Sequence, residues 1–295
     1  MVCWTWGILM RKLVVAGLAL DALMMPATAA DLGLYKAPLP PPVFNWTGFY
    51  FGGDVGGAFS NDNATWDPPS FHESVCAGLC ILAAKPLSPP PPPPPPIGLS
   101  PAAAAGGTGG SAFAGGLLAG YNFQIANSWV TGIEGDWTGM RAGGSFTQPW
   151  ATGSGGVAPG GTTSMSSEVE WALSLRGRLG YLIWPNLMAY GTGGAAWGKI
   201  QYGASAICCG TFTGFPAGYA AGASFTNMAS GWVAGGGLEW APFSGFGMLL
   251  RVEYLYYDFS SAQNVTAAAN GFPPSGFTWS DTTMSVARFA MSYKF

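Results

Sequence analysis

Few residues in this chain have the types and spacing that catalysis needs. A Ser/His/Asp or Cys/His nucleophile requires an imidazole beside it. The 295 residues hold one histidine, His72, and it lies in a proline-rich stretch. Histidine is a common haem ligand, but a single one in a long polar insertion reads as a solvated side chain. The run Gly107-Thr108-Gly109-Gly110-Ser111-Ala112 has the glycine spacing of a dinucleotide fingerprint, yet it follows a polyproline tract and opens no helical pattern. Of the five cysteines, Cys3 lies at the extreme N-terminus, while Cys76 and Cys80, and Cys208 and Cys209, fall close together. A metal site needs more ligands than His72 adds. The four are therefore read as loop-stapling disulfides, within each pair or between loops, in an oxidising compartment. No cofactor, metal or enzymatic activity is expected.

The chemistry that remains is charge, and charge is scarce: 8% of residues are Asp, Glu, Lys or Arg, against roughly a quarter in an average domain. The acids Asp54, Glu134, Asp136, Glu170, Glu239 and Glu253 and the bases Arg176, Arg178, Arg251 and Arg288, with Lys294, each alternate with apolar residues. Placed on one face of a closed sheet, they would line its interior. One reading is a water-filled selective channel. The other is a lumen packed by ion pairs, since unpaired buried charges are costly and a narrow barrel is filled by its own side chains. The near balance of signs favours packing. A net charge of -3 without a basic patch gives no support for nucleic-acid binding.

The elements that would position these charges are strands. The chain is 49% hydrophobic and 14% aromatic, too apolar for a disordered chain and too poor in charge for a water-facing coat. The best apolar run, Leu13 to Met25, is interrupted by Asp21 and falls short of the ~20 residues of a spanning helix. A closed β-barrel is the other structure that satisfies its backbone in lipid. Arg11-Lys12, the apolar run and Ala27-Thr28-Ala29 form an export signal, giving a leader over 1–29, with 1–9 an upstream start extension. A proline-rich linker follows over 30–45, then a barrel over 46–295.

Alternation is clearest from Val169 to Tyr181. Val169, Trp171, Leu173, Leu175, Leu179 and Tyr181 share one face, and Glu170, Arg176 and Arg178 share the other. Counting such segments predicts eight strands: Phe49–Phe59, Ala112–Phe123, Trp129–Met140, Val169–Tyr181, Leu187–Ile200, Gly231–Trp240, Met248–Phe259 and Thr282–Phe295. Three joins are short and four long, the first carrying a polyproline insertion within 61–111 that includes Pro89 to Pro96. Short turns at one end and long loops at the other are the plan of an outer-membrane barrel. The predicted fold class is all-β: an eight-stranded antiparallel transmembrane β-barrel with four long extracellular loops and short periplasmic turns.

Several segments resemble the small outer-membrane barrels of alphaproteobacteria, the outer-membrane immunogenic or porin-family proteins. They include Ala30-Asp31-Leu32, Trp46-Thr47-Gly48-Phe49-Tyr50, Gly120-Tyr121-Asn122 and Gly132-Ile133-Glu134-Gly135-Asp136. Arg176-Gly177-Arg178-Leu179-Gly180-Tyr181, Val252-Glu253-Tyr254-Leu255-Tyr256 and terminal Tyr293-Lys294-Phe295 complete the set. The resemblance implies an OmpA-like membrane barrel in the bacterial outer membrane, exported through the periplasm and inserted by the barrel assembly machinery. It also implies that Phe295, with Tyr293 and Phe289, forms part of the assembly signal. The expected role is that of a structural, surface-exposed barrel of the immunogenic antigen type that contributes to envelope integrity. A narrow porin and a loop-borne adhesin or haem receptor are the alternatives. Expected partners are outer-membrane lipid, lipopolysaccharide, and host or environmental ligands at the loops.

Overall fold

The computed structural model describes residues 44–68, 102–125, 127–150, 161–208, 219–243, 245–269 and 272–295. The leader, most of the linker, the polyproline tract, His72, Cys76, Cys80 and Cys209 lie outside them. Twelve strands form among the described residues: β1 (Gly48–Asn61), β2 (Asn63–Asp67), β3 (Ala104–Gly107), β4 (Ser111–Gln124), β5 (Trp129–Pro149), β6 (Thr162–Trp184), β7 (Leu187–Cys208), β8 (Tyr219–Trp240), β9 (Met248–Ser260), β10 (Gln263–Ala269), β11 (Phe272–Trp279) and β12 (Thr282–Lys294).

Eight of them close into a ring in the order β1-β12-β9-β8-β7-β6-β5-β4. Every neighbouring pair is antiparallel. β1 closes the ring by pairing β12 on one edge, with Tyr50 opposite Lys294, and β4 on the other, with Phe49 opposite Tyr121. Closure leaves no open ladder edge facing lipid, which is what permits strands to cross a bilayer. No described helix is long and apolar enough to do so. The short join between β8 and β9 turns through Gly247, whose φ of +63° suits a residue without a Cβ. Its carbonyl accepts the Lys294 N–H at 2.7 Å.

The wall obeys the period of two. Ile133, Leu175, Leu179, Val252 and Met291 point outward and are exposed, as a lipid face requires. Trp129, Tyr181, Trp240 and Tyr293 mark one border of this band, and Trp137, Trp197 and Trp232 the other. From Trp129 to Trp137 the strand runs about 26 Å, or about 20 Å of height at the usual tilt.

The long joins are less irregular than expected. β5, β6, β7 and β8 run 21, 23, 22 and 22 residues, so most of the joins 141–168 and 201–230 continue the wall rather than loop away from it. The first and fourth long joins supply a separate four-stranded sheet, β10-β11-β2-β3. This order repeats that of the ring strands they extend, β9-β12-β1-β4. Beyond the bilayer the ring therefore divides into two sheets: the prolonged β5–β8 and this smaller one.

An apolar core lies between the two sheets. Trp66, Phe277 and Trp279 come from the small sheet and Tyr202, Ile200 and Tyr219 from the long one, all buried. Trp66 stacks on Trp150 with centroids 5.1 Å apart, and Tyr202 meets Trp279 at 5.3 Å. At the level of division Asp62 accepts hydrogen bonds from Thr108 Oγ1 (2.7 Å) and Ser167 Oγ. Gly110 and Gly144 permit the close approach of β4 to β5 there: a Cβ on Gly144 would lie 2.6 Å from the Gly109 carbonyl oxygen. The glycine run 107–112 thus joins β3 to β4 and begins no helix.

Candidate functional site

The inward positions of β1, β5, β6, β8, β9 and β12 converge on one layer. Asp54, Glu134, Asp136, Glu239 and Glu253 meet Arg176, Arg178, Arg251 and Arg288, and every one is at most 5% exposed. Each arginine bridges carboxylates from different strands. Arg176 donates to Glu134 (2.6 Å), to Glu253 (3.1 Å) and to Asp136. Arg251 spans Glu134 (2.6 Å) and Glu239 (3.2 Å), and Arg178 also donates to Glu239. Arg288 reaches Glu253 (2.6 Å), Asp136 (3.2 Å) and Asp54 (3.3 Å).

Such a layer survives away from water because its charges are paired across strands, although Asp54 Oδ1, Asp136 Oδ1, Glu239 Oε1 and the Nε atoms of Arg176, Arg178 and Arg251 find no hydrogen-bond partner among the described residues. Two tyrosines help. The Tyr50 hydroxyl accepts from Arg178 (2.9 Å) and donates to Glu134 (2.6 Å), and Tyr190 donates to Glu253 (2.9 Å). The Arg178 guanidinium lies over the Tyr190 ring, 4.1 Å from its centroid. Gly120 leaves room for Tyr50, whose ring carbon Cζ would lie 2.5 Å from a Cβ at that position.

Nine of the eleven charges expected to line the lumen meet here. Glu170 does not. A β-bulge displaces the register between Val169 and Trp171, which oppose Ile200 and Lys199 of β7. The extra residue resets the phase: Val169 turns inward and is buried, and Glu170 turns outward, where Lys199 pairs with it at 2.7 Å. Both earlier placements, Glu170 inside and Val169 on the lipid face, are corrected by this bulge. Lys294 sits at the rim, its Nζ 5.6 Å from the centroid of the Phe44 ring, and takes no part in the layer. Of the loop cysteines only Cys208 is described. It ends β7 opposite Tyr219.

Sequence reasoning missed the residues that close the ring's short-turn end. Phe44 and Trp46 precede β1 and fold back into the mouth, both buried, against Leu118, Val130, Met188 and Leu249. Trp46 Nε1 donates to the Pro185 carbonyl at 3.1 Å, and its backbone N–H donates to Gln124 Oε1 at 3.2 Å. Phe44 packs edge-on against Trp46 with centroids 5.1 Å apart. Tyr50 was readable, since it shares the parity of Asp54 along β1. Tyr190 was not, because β7 is small-residue-rich on both faces around it.

The lumen is thus occupied in three storeys: a plug at the short-turn end, the ionic layer, and the aromatic core beyond. Among the described residues, no group of His, Cys, Asp and Glu could hold a metal ion. The arrangement is suited to rigidity.

The family that the sequence matches is itself a β-barrel family. Residues 18–295 match the outer membrane protein beta-barrel domain family. The chain is 30% identical over 296 residues to the 31 kDa outer-membrane immunogenic proteins of Brucella melitensis biotype 1 and Brucella suis biovar 1, covering 97% of this chain and 100% of each relative. Solved structures to which it is similar include two small outer-membrane proteins. One is the outer membrane protein OprG from Pseudomonas aeruginosa (10% identity, TM-score 0.40, 85% of this chain and 99% of that one). The other is Ail of Yersinia pestis (13% identity, TM-score 0.28, 79% and 99%). The chain belongs to the outer membrane protein β-barrel domain family and is a protein of the outer membrane.

Proposed function

We propose that this protein is a sealed structural barrel of the cell surface, an antigen-type protein that contributes to envelope integrity and conducts nothing. The observation that carries this reading is the buried layer of five carboxylates and four guanidiniums drawn from six strands of the ring. Ions crossing it would have to break several bridges at once, each in a low-dielectric setting. The Phe44–Trp46 plug and the aromatic core act in series with it.

The test is single-channel recording of the refolded protein in a planar bilayer, with folding verified by the gel mobility shift between boiled and unboiled samples. Folded, inserted protein is expected to stay electrically silent. Reproducible conductance steps would overturn the sealed reading in favour of a narrow porin.

Assembly follows from the same placement. Phe289 and Tyr293 point outward from β12, and Phe295, exposed just after its end, packs edge-on against Tyr293 with centroids 5.2 Å apart. These aromatics are the surface that the barrel assembly machinery would engage. Deleting Phe295 should lower the amount of folded protein recovered from outer membranes. Unchanged recovery in the same fractions would remove Phe295 from that role.

A further inference from the structure

The bulge that turns Glu170 out of the lumen has a counterpart on the next strand. Between Gly139 and Ala142, β5 carries one residue more than β6 does between Trp171 and Val169. The two irregularities are adjacent and lie at the border of the apolar band beside Trp137, Trp171 and Trp197. They gather on the outer wall Arg141 of β5, Glu168 and Glu170 of β6, and Lys199 of β7. Bulges re-aim side chains at sheet borders, and here two of them build one lateral row.

The row is a mixed one. Glu170 holds Lys199 at 2.7 Å. Arg141 has its nearest carboxylate, Glu168, at 4.0 Å, and its side chain is 84% exposed. Its guanidinium is therefore free to accept another anion. Arg141 and Lys199 stand on strands separated by β6, so their backbones lie about 10 Å apart. Below them the wall continues as Trp171, Leu173 and Leu175, which face lipid.

We infer that this row is a docking site for a bisphosphorylated glycolipid of the outer leaflet, a lipopolysaccharide. One phosphate meets the Arg141 guanidinium, the second meets the Lys199 ammonium, and the acyl chains descend over Trp171, Leu173 and Leu175. Three features favour this occupant. The cations sit at headgroup height, where interfacial tryptophans gather. Their spacing suits a headgroup with two separated phosphates rather than a single phosphodiester. The acyl chains have a continuous apolar wall to follow, which a soluble anion would not use. The site does not depend on whether the lumen conducts.

The experiment uses protein extracted from outer membranes and reconstituted in phosphatidylcholine nanodiscs. These carry a trace of bisphosphorylated lipid A, monophosphorylated lipid A or phosphatidylglycerol, and native mass spectrometry counts the bound lipid. Wild type should retain bisphosphorylated lipid A above the other two. In R141Q/K199Q, which leaves Glu168 and Glu170 unbalanced, retention should fall about twenty-five-fold, at roughly fivefold per cation. K199R should retain it. R141Q alone, at a largely exposed side chain, should lose about fivefold and is the variant least able to disturb folding. Equal retention by wild type and R141Q would overturn the site. Equal retention of phosphatidylglycerol and lipid A by wild type would overturn it too, leaving general attraction for anionic lipid.

Discussion

Arg176→Ala is expected to lower the unfolding stability of the barrel by about 3–5 kcal/mol, the usual cost of removing one partner from a buried ion-paired group. The Arg176 side chain is wholly buried and bridges Glu134, Asp136 and Glu253. Its loss changes the layer from five acids against four bases to five against three. The three acids keep some partners. Glu134 retains Arg251 at 2.6 Å, Asp136 retains Ser174 at 2.9 Å, and Glu253 retains Arg288. None of them can move into water to compensate. A marked fall in the temperature at which the folded gel band disappears would report this loss. Arg141→Ala, on the exposed wall, should shift that temperature little, because an exposed ion pair is worth about 0–1 kcal/mol. An unchanged midpoint for Arg176→Ala would mean that water replaces the guanidinium. The lumen would then be hydrated, and the sealed reading would fail with it.

The ring was legible because its period is two and its two faces meet opposite environments. Along β6, Leu173, Leu175 and Leu179 face lipid while Ser174, Arg176 and Arg178 face into the lumen. No helical spacing produces that division. The same parity placed nine of the eleven charges in the layer, with Lys294 left at the rim. It failed at Glu170 for a definite reason: a single inserted residue inverts every later position, and nothing in Ser167-Glu168-Val169-Glu170-Trp171 marks where the insertion falls.

The small sheet was hidden by its composition. β11 reads Phe-Pro-Pro-Ser-Gly-Phe-Thr-Trp, and proline argues against a strand. Its prolines are tolerated because β2 pairs only from Gly276 to Trp279, leaving that edge of Pro273 and Pro274 without a ladder to supply. β3 is Ala-Ala-Gly-Gly, which has no alternation to read. These strands exist because Trp66, Phe277 and Trp279 have a core to enter, and that core is visible only once the ring is closed.

The plug escaped notice for a related reason, and it carries the second large effect. Phe44 and Trp46 follow a proline run and precede the first alternating segment, where aromatics are expected to mark the membrane border. Instead both are buried within the mouth. Trp46→Ala should cost about 3–5 kcal/mol, the range for a large buried aromatic whose cavity cannot collapse. Rigid strands surround it, so relaxation is restricted. Trp46→Phe keeps most of the ring but forfeits the 3.1 Å bond to Pro185, and should cost less, about 1–3 kcal/mol, for the carbonyl left without its donor. The two variants, compared by the same thermal gel assay, separate packing from hydrogen bonding. Equal midpoints for wild type and Trp46→Ala would show that the segment before β1 is not seated in the mouth. If it is seated, Trp46→Ala should still be silent in a planar bilayer despite its lost stability, because the arginine–carboxylate layer remains across the path. Current through that variant would instead make the plug the seal and the ionic layer a hydrated filter.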